Sequence, residues 1–355
     1  MKRPEDKFAE YRKKKDTDGS NFFRPENLIV FGIILITLVV TYFALPKIKF
    51  LLETKTEEGR LIAVLRENKE ALKKNKNIIK KTPGHCLVTF IDVGQGDASL
   101  IETPNGKVIL IDGGEGKHPD NKFAKAFNAG ERVIIPMLWA KGIKKIDIIL
   151  ISHAHSDHIG GLLEILDVFP VDEIIEPGYP AHSANYSEIL KIAKEKNIKY
   201  TMPKTGDILD FGKDVFAQVL WVDKSGGKKG DNINNTSIVL YFKFGNTSII
   251  FSGDAEKEIE EEIVYTYGRK IKCDIYKVGH HGSRTSSSEI YVKIIEPKVA
   301  LIGVGSYNTF GHPTEEILKR LASFKTKVYR TDKDSHIYID ITENDYKIIT
   351  AASLD

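Results

Sequence analysis

The sequence predicts a mixed α/β domain with much β-sheet over residues 85–355. Short apolar or alternating runs, which are typical of strands, recur from Cys86 to the end of the chain. Segments with helical spacing stand between many of these runs, and strands and helices follow one another in two similar halves. The composition of residues 1–84 is different, so three further segments are predicted before the domain.

The first 84 residues divide into a tail, a membrane anchor and a stalk. Residues 1–27 are polar and basic, which is typical of a disordered tail. Residues 28–45 contain no charged side chain, and as a helix they would span about 27 Å at ~1.5 Å per residue. Residues 46–84 are rich in Lys and Glu and predict a charged stalk or linker. The expected protein crosses the cell membrane once, through a transmembrane helix at residues 28–45.

Charge predicts the orientation of this anchor. Within 20 residues of the apolar run, five Lys or Arg precede it and four follow it, so the positive-inside rule places the N-terminus inside. The domain is then expected to be extracytoplasmic. It carries 33 basic and 38 acidic residues, a net charge of −5, whereas proteins that bind duplex nucleic acid tightly are usually basic. Two cysteines, Cys86 and Cys273, are too few for a disulfide framework.

The first half of the domain begins with a hairpin whose turn is Pro104, Asn105 and Gly106. Its predicted elements are, in order, strands Leu87–Ile91, Ala98–Glu102 and Val108–Ile111, helix Arg132–Ile143, strands Ile146–Ile151 and Asp172–Ile175, helix Tyr186–Lys196 and strand Lys199–Met202. The second half is predicted as strands Ile208–Leu209, Phe216–Val222, Ser237–Phe244 and Thr247–Phe251, helix Glu256–Tyr265, strand Asp274–Val278, helix Ser288–Ile295, strand Val299–Val304, helix Thr314–Ser323 and three closing strands.

A cluster of metal-ligand residues follows the strand Ile146–Ile151. His153, His155, Asp157 and His158 lie within six positions, where the strand turns towards a helix. Alternate residues of an extended segment share one side, so His153 and His155 leave the strand in the same direction. Neutral imidazole together with carboxylate suits zinc, or a harder divalent ion when more oxygen ligands join. The segment therefore predicts a divalent-metal site.

Two later strands end in residues of the same kind. Asp254 follows the strand Thr247–Phe251, and its carboxylate can either bridge two cations or cap the next helix. His280 and His281 follow the strand Asp274–Val278 between glycines, and one of the two is expected to bind metal. We expect His280 to be that ligand because it stands at the strand end, and His281 either to face the substrate or to support the ligands without binding metal.

The motif His153-x-His155-x-Asp157-His158 resembles the signature of the metallo-β-lactamase fold superfamily of hydrolases. Three further stretches are similar to the hydrolase domain of the ComEC-type competence protein family, in the order found there. They are Phe90 to Asp97, Val278 to Ser283 and Tyr307 to Pro313, and the resemblance covers about residues 85–350.

The resemblance implies a four-layer αββα sandwich and two divalent metal ions, whose bound hydroxide attacks the scissile centre. Asp157 would bind the second metal and orient the nucleophile, and Asp254 would bridge the two ions. His312 would contact a phosphate or donate a proton to the leaving group. Four residues would support the ligands rather than bind metal, as outer-shell partners of metal sites do: Asp92, Asp97, Asp112 and Asn235.

One departure affects the choice of metal. Many superfamily members supply a third histidine to the first metal, between the opening cluster and the bridging aspartate. Here only His182 lies in that interval, outside any such motif, and a strand with Asn234, Asn235 and Ser237 stands in its place. Fewer nitrogen ligands shift the preference from zinc towards manganese, so both ions stay open.

The leading functional hypothesis is a membrane-anchored phosphodiesterase or nuclease linked to DNA uptake, with single-stranded nucleic acid among its substrates. An alternative substrate is a small phosphoester of the cell envelope, such as phosphorylcholine, since a related esterase shares the opening motif around Asp97. A third hypothesis from another class is a non-catalytic partner domain of a membrane DNA-uptake machine. The complete set of His and Asp residues argues against this third hypothesis.

Overall fold

The computed structural model describes residues 78–116, 127–178, 183–223 and 232–354. The predicted tail, the predicted transmembrane helix 28–45 and most of the stalk 46–84 lie outside the described residues. Within the described ranges, no helix is both long and apolar enough to cross a bilayer. The last residues of the predicted stalk lie against the domain, since Ile78 packs on its core and the Lys141 Nζ atom donates a hydrogen bond to the Ile79 carbonyl at 2.6 Å.

An eight-stranded mixed sheet forms one half of the domain. Its strands are β1 (Cys86–Phe90), β2 (Ser99–Glu102), β3 (Val108–Ile111), β4 (Ile146–Leu150), β5 (Val171–Ile175), β6 (Lys199–Thr201), β13 (Ile337–Ile341) and β14 (Tyr346–Thr350). They follow the order β14-β13-β1-β2-β3-β4-β5-β6. Pairs from β14 to β3 are antiparallel and pairs from β3 to β6 are parallel, so β3, β4 and β5 end at the same edge.

A six-stranded mixed sheet forms the other half. Its strands are β7 (Val215–Trp221), β8 (Val239–Phe244), β9 (Thr247–Phe251), β10 (Ile275–Lys277), β11 (Val299–Ile302) and β12 (Lys327–Arg330), in the order β12-β11-β10-β9-β8-β7. Strands β9 to β12 are parallel, whereas β7, β8 and β9 form an antiparallel meander. The predicted strand Ile208–Leu209 is only a single bridge from Ile208 to Gln218.

Two layers of helix cover the outer faces of the sheets. The helices are α1 (Ile135–Lys141), α2 (Ser156–Ile159), α3 (Leu162–Val168), α4 (Ala184–Glu195), α5 (Lys257–Tyr267), α6 (Glu289–Ile295), α7 (Glu315–Ser323) and α8 (Thr331–Asp334). The predicted helix Arg132–Ile143 is a π-helical turn, Gly130–Ile134, that continues into α1.

Three apolar clusters define the layers. The central cluster joins buried residues of both sheets, such as Ile109 of β3 and Phe242 of β8. A second cluster packs the eight-stranded sheet against α1, α3 and α4, and a third packs the six-stranded sheet against α5, α6 and α7. Because each sheet buries one face on the other sheet and one on helices, the expected αββα sandwich is confirmed.

Candidate metal centre

The ligand-bearing turn after β4 is held by Asp112, which follows the neighbouring strand β3. One carboxylate oxygen of Asp112 accepts the Ser152 backbone N–H at 2.8 Å, and the other accepts the Ser152 hydroxyl at 2.7 Å. Asp112 is 2% exposed and adopts φ 60°, a left-handed conformation that is uncommon outside glycine. Since β3 and β4 are parallel, their carboxyl ends bring this side chain directly to the turn.

Two glycines allow the turn to approach the chain after β3 closely. Gly160 and Gly161 separate the short helix α2 from α3. A Cβ at either position would overlap the backbone of Gly113, Gly116 or Gly130. Any larger residue would therefore push the ligand turn away from its support.

His158 is positioned by the same carboxylate. Its Nδ1 atom lies 2.9 Å from Asp112 Oδ2, so Nδ1 carries the proton that is shared with Asp112 and Nε2 points away from it. The Asp112 geometry matches the supporting position that the resemblance implies. His153, His155 and Asp157 lie on the same turn, as the sequence pattern suggests.

A first group of candidate ligands consists of His153, His155 and Asp254, whose ligand atoms all lie within 4.8 Å of one another. His153 Nε2 is 3.0 Å from His155 Nδ1 and 3.8 Å from Asp254 Oδ2. Within the described ranges no third histidine joins this group. Ser237, on the segment expected in place of that histidine, accepts the Asp254 backbone N–H at 3.0 Å.

A second group consists of Asp97, His158, Asp254 and His281, all of them buried. His158 Nε2 lies 3.4 Å from Asp254 Oδ1, and His281 Nε2 lies 3.6 Å from Asp254 Oδ2. Asp254 belongs to both groups, so its carboxylate stands where a ligand shared by two cations would stand.

The donors in these groups fit divalent cations. His158 Nε2 and Asp254 Oδ1 are buried, face each other and have no hydrogen-bond partner in the described part of the chain. Buried polar atoms without a partner are rare and costly, and a cation between them would satisfy both. Imidazole nitrogens with carboxylate oxygens are the donor set of zinc and manganese sites, and the geometry leaves both ions open.

The positions of the adjacent histidines reverse the expected assignment. His281 is 2% exposed, and its Nδ1 lies 2.8 Å from the Gly303 carbonyl, which leaves Nε2 directed towards Asp254. His280 lies at the edge instead, with Nδ1 3.1 Å from Thr285 Oγ1 and Nε2 3.9 Å from Asp254 Oδ2. Both residues are left-handed, with φ 47° and 51°, so the alternation of a strand does not continue to them.

Asp157 and Asp97 also differ from the expected roles. Asp157 Oδ2 lies 3.2 Å from His281 Nε2, so Asp157 borders the second group without belonging to it. Asp97, expected to support a ligand, belongs to the second group and forms an ion pair with the buried Lys277. Sequence reasoning missed Lys277, although a lysine within the apolar strand β10 was a visible signal.

Two residues that were predicted to support metal ligands form hydrogen bonds with backbone groups instead. Asp92 accepts the Gly94 N–H at 3.2 Å, and its own N–H donates to His336 Nδ1 at 3.0 Å. Asn235 accepts the backbone N–H of Glu256, where α5 begins, at 3.0 Å. Each closes a turn near the metal centre. This proximity explains why their places in the sequence motifs suggested that they support the metal ligands.

His312 stands above His280 at the entrance to the centre. The two rings are 5.6 Å apart between centroids, and His312 also stacks on Phe310 at 5.8 Å. Burial, together with the neighbouring His280 and His281, lowers the pKa of His312 to about 4. The ring is therefore uncharged at neutral pH.

The charges of the centre compensate one another in the absence of metal. Burial lowers the pKa of His281, but the Asp254 and Asp97 carboxylates outweigh it and raise this pKa to about 9. Burial likewise opposes the charge of His158, yet Asp254 and Asp112 hold its pKa well above the ordinary value. His153 is neutral, because burial lowers its pKa well below the usual range. Protons on two histidines thus occupy the place of positive charge that a cation would supply.

Metal binding is expected to release protons and to tighten as pH rises. A histidine must be neutral to bind a cation, so the proton on His281 is displaced at pH 7, and the cost disappears as pH approaches about 9. The raised pKa also stabilises the metal-free fold below about pH 6.5, the unfolded value, and this stability is lost as pH rises through 9. Calorimetric titration with Zn²⁺ in buffers of different ionisation enthalpy measures the release. His281→Gln should release about one proton fewer, and a pH-independent affinity would contradict the assignment.

Comparison with known proteins identifies the family. Residues 91–305 match the Metallo-beta-lactamase superfamily. ComE operon protein 3 of Bacillus subtilis (strain 168) is 34% identical over 255 residues, which cover 70% of this chain and 32% of that protein. Recombination protein 2 of Haemophilus influenzae is 28% identical and covers 74% of this chain and 29% of that protein. Competence protein ComA of Neisseria gonorrhoeae is 29% identical, with coverages of 70% and 31%.

The chain spans about a third of the length of these curated relatives. Its motifs, its two-sheet fold and the match over residues 91–305 agree with one another. The resemblance to a competence-protein family is confirmed by the names of these relatives. The chain belongs to the metallo-beta-lactamase superfamily.

Proposed function

We propose that this protein is a metal-dependent phosphodiesterase that acts on single-stranded nucleic acid. The observation that carries the proposal is Asp254, whose Oδ1 atom faces His158 and whose Oδ2 atom faces His153 and His281. A carboxylate shared in this way suits a centre of two cations, which when bound would supply a nucleophile at neutral pH and stabilise charge at a phosphoryl group.

The chain's own residues would position the reactants. Asp157 is 24% exposed at its side chain and is the carboxylate of the centre that opens towards solvent, so we assign it the orientation of the attacking water. His281 and Asp254 are buried and would stay fixed as ligands. His312 is uncharged at neutral pH, so we assign it a hydrogen bond to a phosphate oxygen rather than a proton to the leaving group.

Exposed aromatic rings beside the centre support a nucleic-acid substrate. Tyr307 is 98% exposed and Phe310 is 68% exposed, and both lie on the loop that ends at His312. Aromatic faces stack on unpaired bases with little sequence preference, at about 1–3 kcal/mol per base. A domain of net charge −5 would rely on such stacking and on bound metal more than on Lys and Arg.

The relatives support the same biological setting. Two of them are named for recombination and for competence, which are processes that handle DNA. We therefore propose that residues 28–45 anchor the protein in the cell membrane, with the hydrolase domain outside the cytoplasm and linked to DNA uptake. A small phosphoester of the envelope is the competing substrate, and the assays below separate the two.

Removing a ligand from the first group should abolish hydrolysis without unfolding the domain. His155→Ala deletes one imidazole from a partly buried position, so we expect activity on bis-p-nitrophenyl phosphate to fall more than ~10²-fold. His85→Ala is the matched control, because His85 pairs with Asp340 at a partly exposed position outside both groups. Full activity of metal-reconstituted His155→Ala protein would contradict the assignment of His155 as a metal ligand.

The exposed aromatic ring on the loop before His312 should contribute to binding of single-stranded DNA but not to hydrolysis of a small phosphoester. Tyr307→Ala removes one stacking face, so KM for single-stranded DNA should rise about fivefold or more. Turnover of bis-p-nitrophenyl phosphate should be unchanged, and Tyr265→Ala, at another exposed tyrosine on α5, should affect neither substrate. If phosphorylcholine esters are cleaved and DNA is not, the envelope phosphoesterase is the better function.

The anchor is tested by fractionation and protease. Full-length protein should sediment with membranes, because an uncharged run of this length favours the bilayer, and deletion of residues 1–50 should release an active soluble protein. Protease added to intact cells should digest the domain. A full-length chain found in the aqueous phase without detergent would remove the anchor, and a domain protected until lysis would reverse the orientation.

A further inference from the structure

A lysine is buried beneath the second group of ligands. Lys277 is the last residue of β10, between β9 and β11 in the six-stranded sheet, and is 4% exposed. Its ammonium forms an ion pair with Asp97 Oδ2 and lies 3.4 Å from the Gly253 carbonyl oxygen. Burying an ammonium is costly unless it is paired, so the Lys277–Asp97 contact is a buried ion pair that the fold maintains, unlike a solvated surface pair.

Asp97 lies between this lysine and the candidate cation position. Its Oδ2 atom is 4.0 Å from His158 Nε2, and its Oδ1 atom is 3.7 Å from His281 Nδ1. Gly303 makes this position possible, because a Cβ there would overlap Asp97 Oδ1. One carboxylate therefore separates the Lys277 ammonium from the atoms that would hold the second cation.

The pair changes the charge that a cation would meet. An unpaired Asp97 carboxylate would attract a divalent ion. The Lys277 ammonium, which lies on the far side of Asp97, repels it. At separations of about 6 Å and an effective dielectric near 20, one unit charge changes divalent-ion affinity by far more than tenfold. The pair is close to neutral, so Asp97 contributes much less attraction than its place in the group suggests.

We propose that Lys277 weakens binding of the second cation by neutralising Asp97. The inference rests on the metal centre proposed above and is independent of its substrate. The second position then exchanges its cation with the surroundings, while the first position, which does not include Asp97, is held by His153, His155 and Asp254. Lys277 acts through Asp97 and is thus a positioning and charge-setting residue.

The test is titration of the folded, metal-free protein with Mn²⁺, with the free ion followed by electron paramagnetic resonance. In a His155→Ala background, which removes a ligand of the first group only, Lys277→Met should lower Kd at the remaining site at least about tenfold. Lys277→Arg keeps the charge and should stay within about threefold of the parent. Lys298→Met is the matched control: Lys298 pairs with Asp274 at 2.8 Å on the surface, and its loss should leave Kd unchanged.

A second comparison covers the case in which Lys277→Met does not fold because Asp97 is left unpaired. The neutral pair Asp97→Asn with Lys277→Met is compared with the unsubstituted pair in the same His155→Ala background, and Kd should stay within about threefold, because a neutral pair replaces an ion pair that is already close to neutral. Equal or weaker binding by Lys277→Met, or binding by the double variant that is more than about tenfold weaker, overturns the inference. Absence of both Mn²⁺ and Zn²⁺ binding in the unsubstituted protein would instead overturn the metal centre itself. Loss of DNA cleavage with the predicted affinities would overturn only the proposed substrate.

Discussion

The carboxylate of Asp112 is the contact on which the centre depends. It accepts a backbone N–H and a hydroxyl from Ser152 and also binds Nδ1 of His158, so one buried group fixes the turn and orients a ligand. Charge-assisted hydrogen bonds of this kind are stronger than neutral ones, and their directions are constrained. Backbone hydrogen bonds also tie this turn to the chain after β3, such as the one from the Gly113 N–H to the His158 carbonyl at 2.6 Å, and the Asp112 carboxylate in addition orients the His158 ring.

The fold brings the remaining ligands to this turn from the opposite sheet. Parallel strands present their carboxyl ends at one edge, so Asp254 after β9 and His281 after β10 become neighbours. A hydrogen bond of 2.9 Å from the Ile238 N–H to the Ser152 carbonyl then links the edges of the two sheets. The centre consequently exists only while the apolar core between the sheets holds these edges together.

Electrostatic balance explains why the buried charges are tolerated. Histidine protons oppose Asp254 and Asp112, and the Lys277 ammonium opposes Asp97. Each buried charge therefore has a counter-charge within a few ångströms, as burial requires. The protonated histidines and the lysine all lie at the second group, whereas the first group contains the neutral His153, and this difference in charge distinguishes the two groups.

The sequence by itself determined which residue types gather at strand ends and placed the strands, apart from Ile208–Leu209, which is only a single bridge. The apolar runs before His153 and Asp254, and the glycines around His280, are local signals, and local periodicity was enough to place the helices between strands. Element boundaries moved by one or two residues, and the helix predicted from Arg132 to Ile143 acquired a π-helical turn. These features are read from neighbours along the chain, so no long-range contact was needed to predict them.

Only the tertiary structure decided which side chains face the centre. The choice of His281 over His280 follows from left-handed backbone at both residues, which strand alternation does not predict. Asp97 and Lys277 are 180 positions apart, and their contact depends on the packing of two sheets. Asp92 and Asn235 share motifs with the ligands yet bond to backbone groups. Side-chain direction at the end of a strand and contacts between sheets are set by packing, which local sequence patterns do not contain.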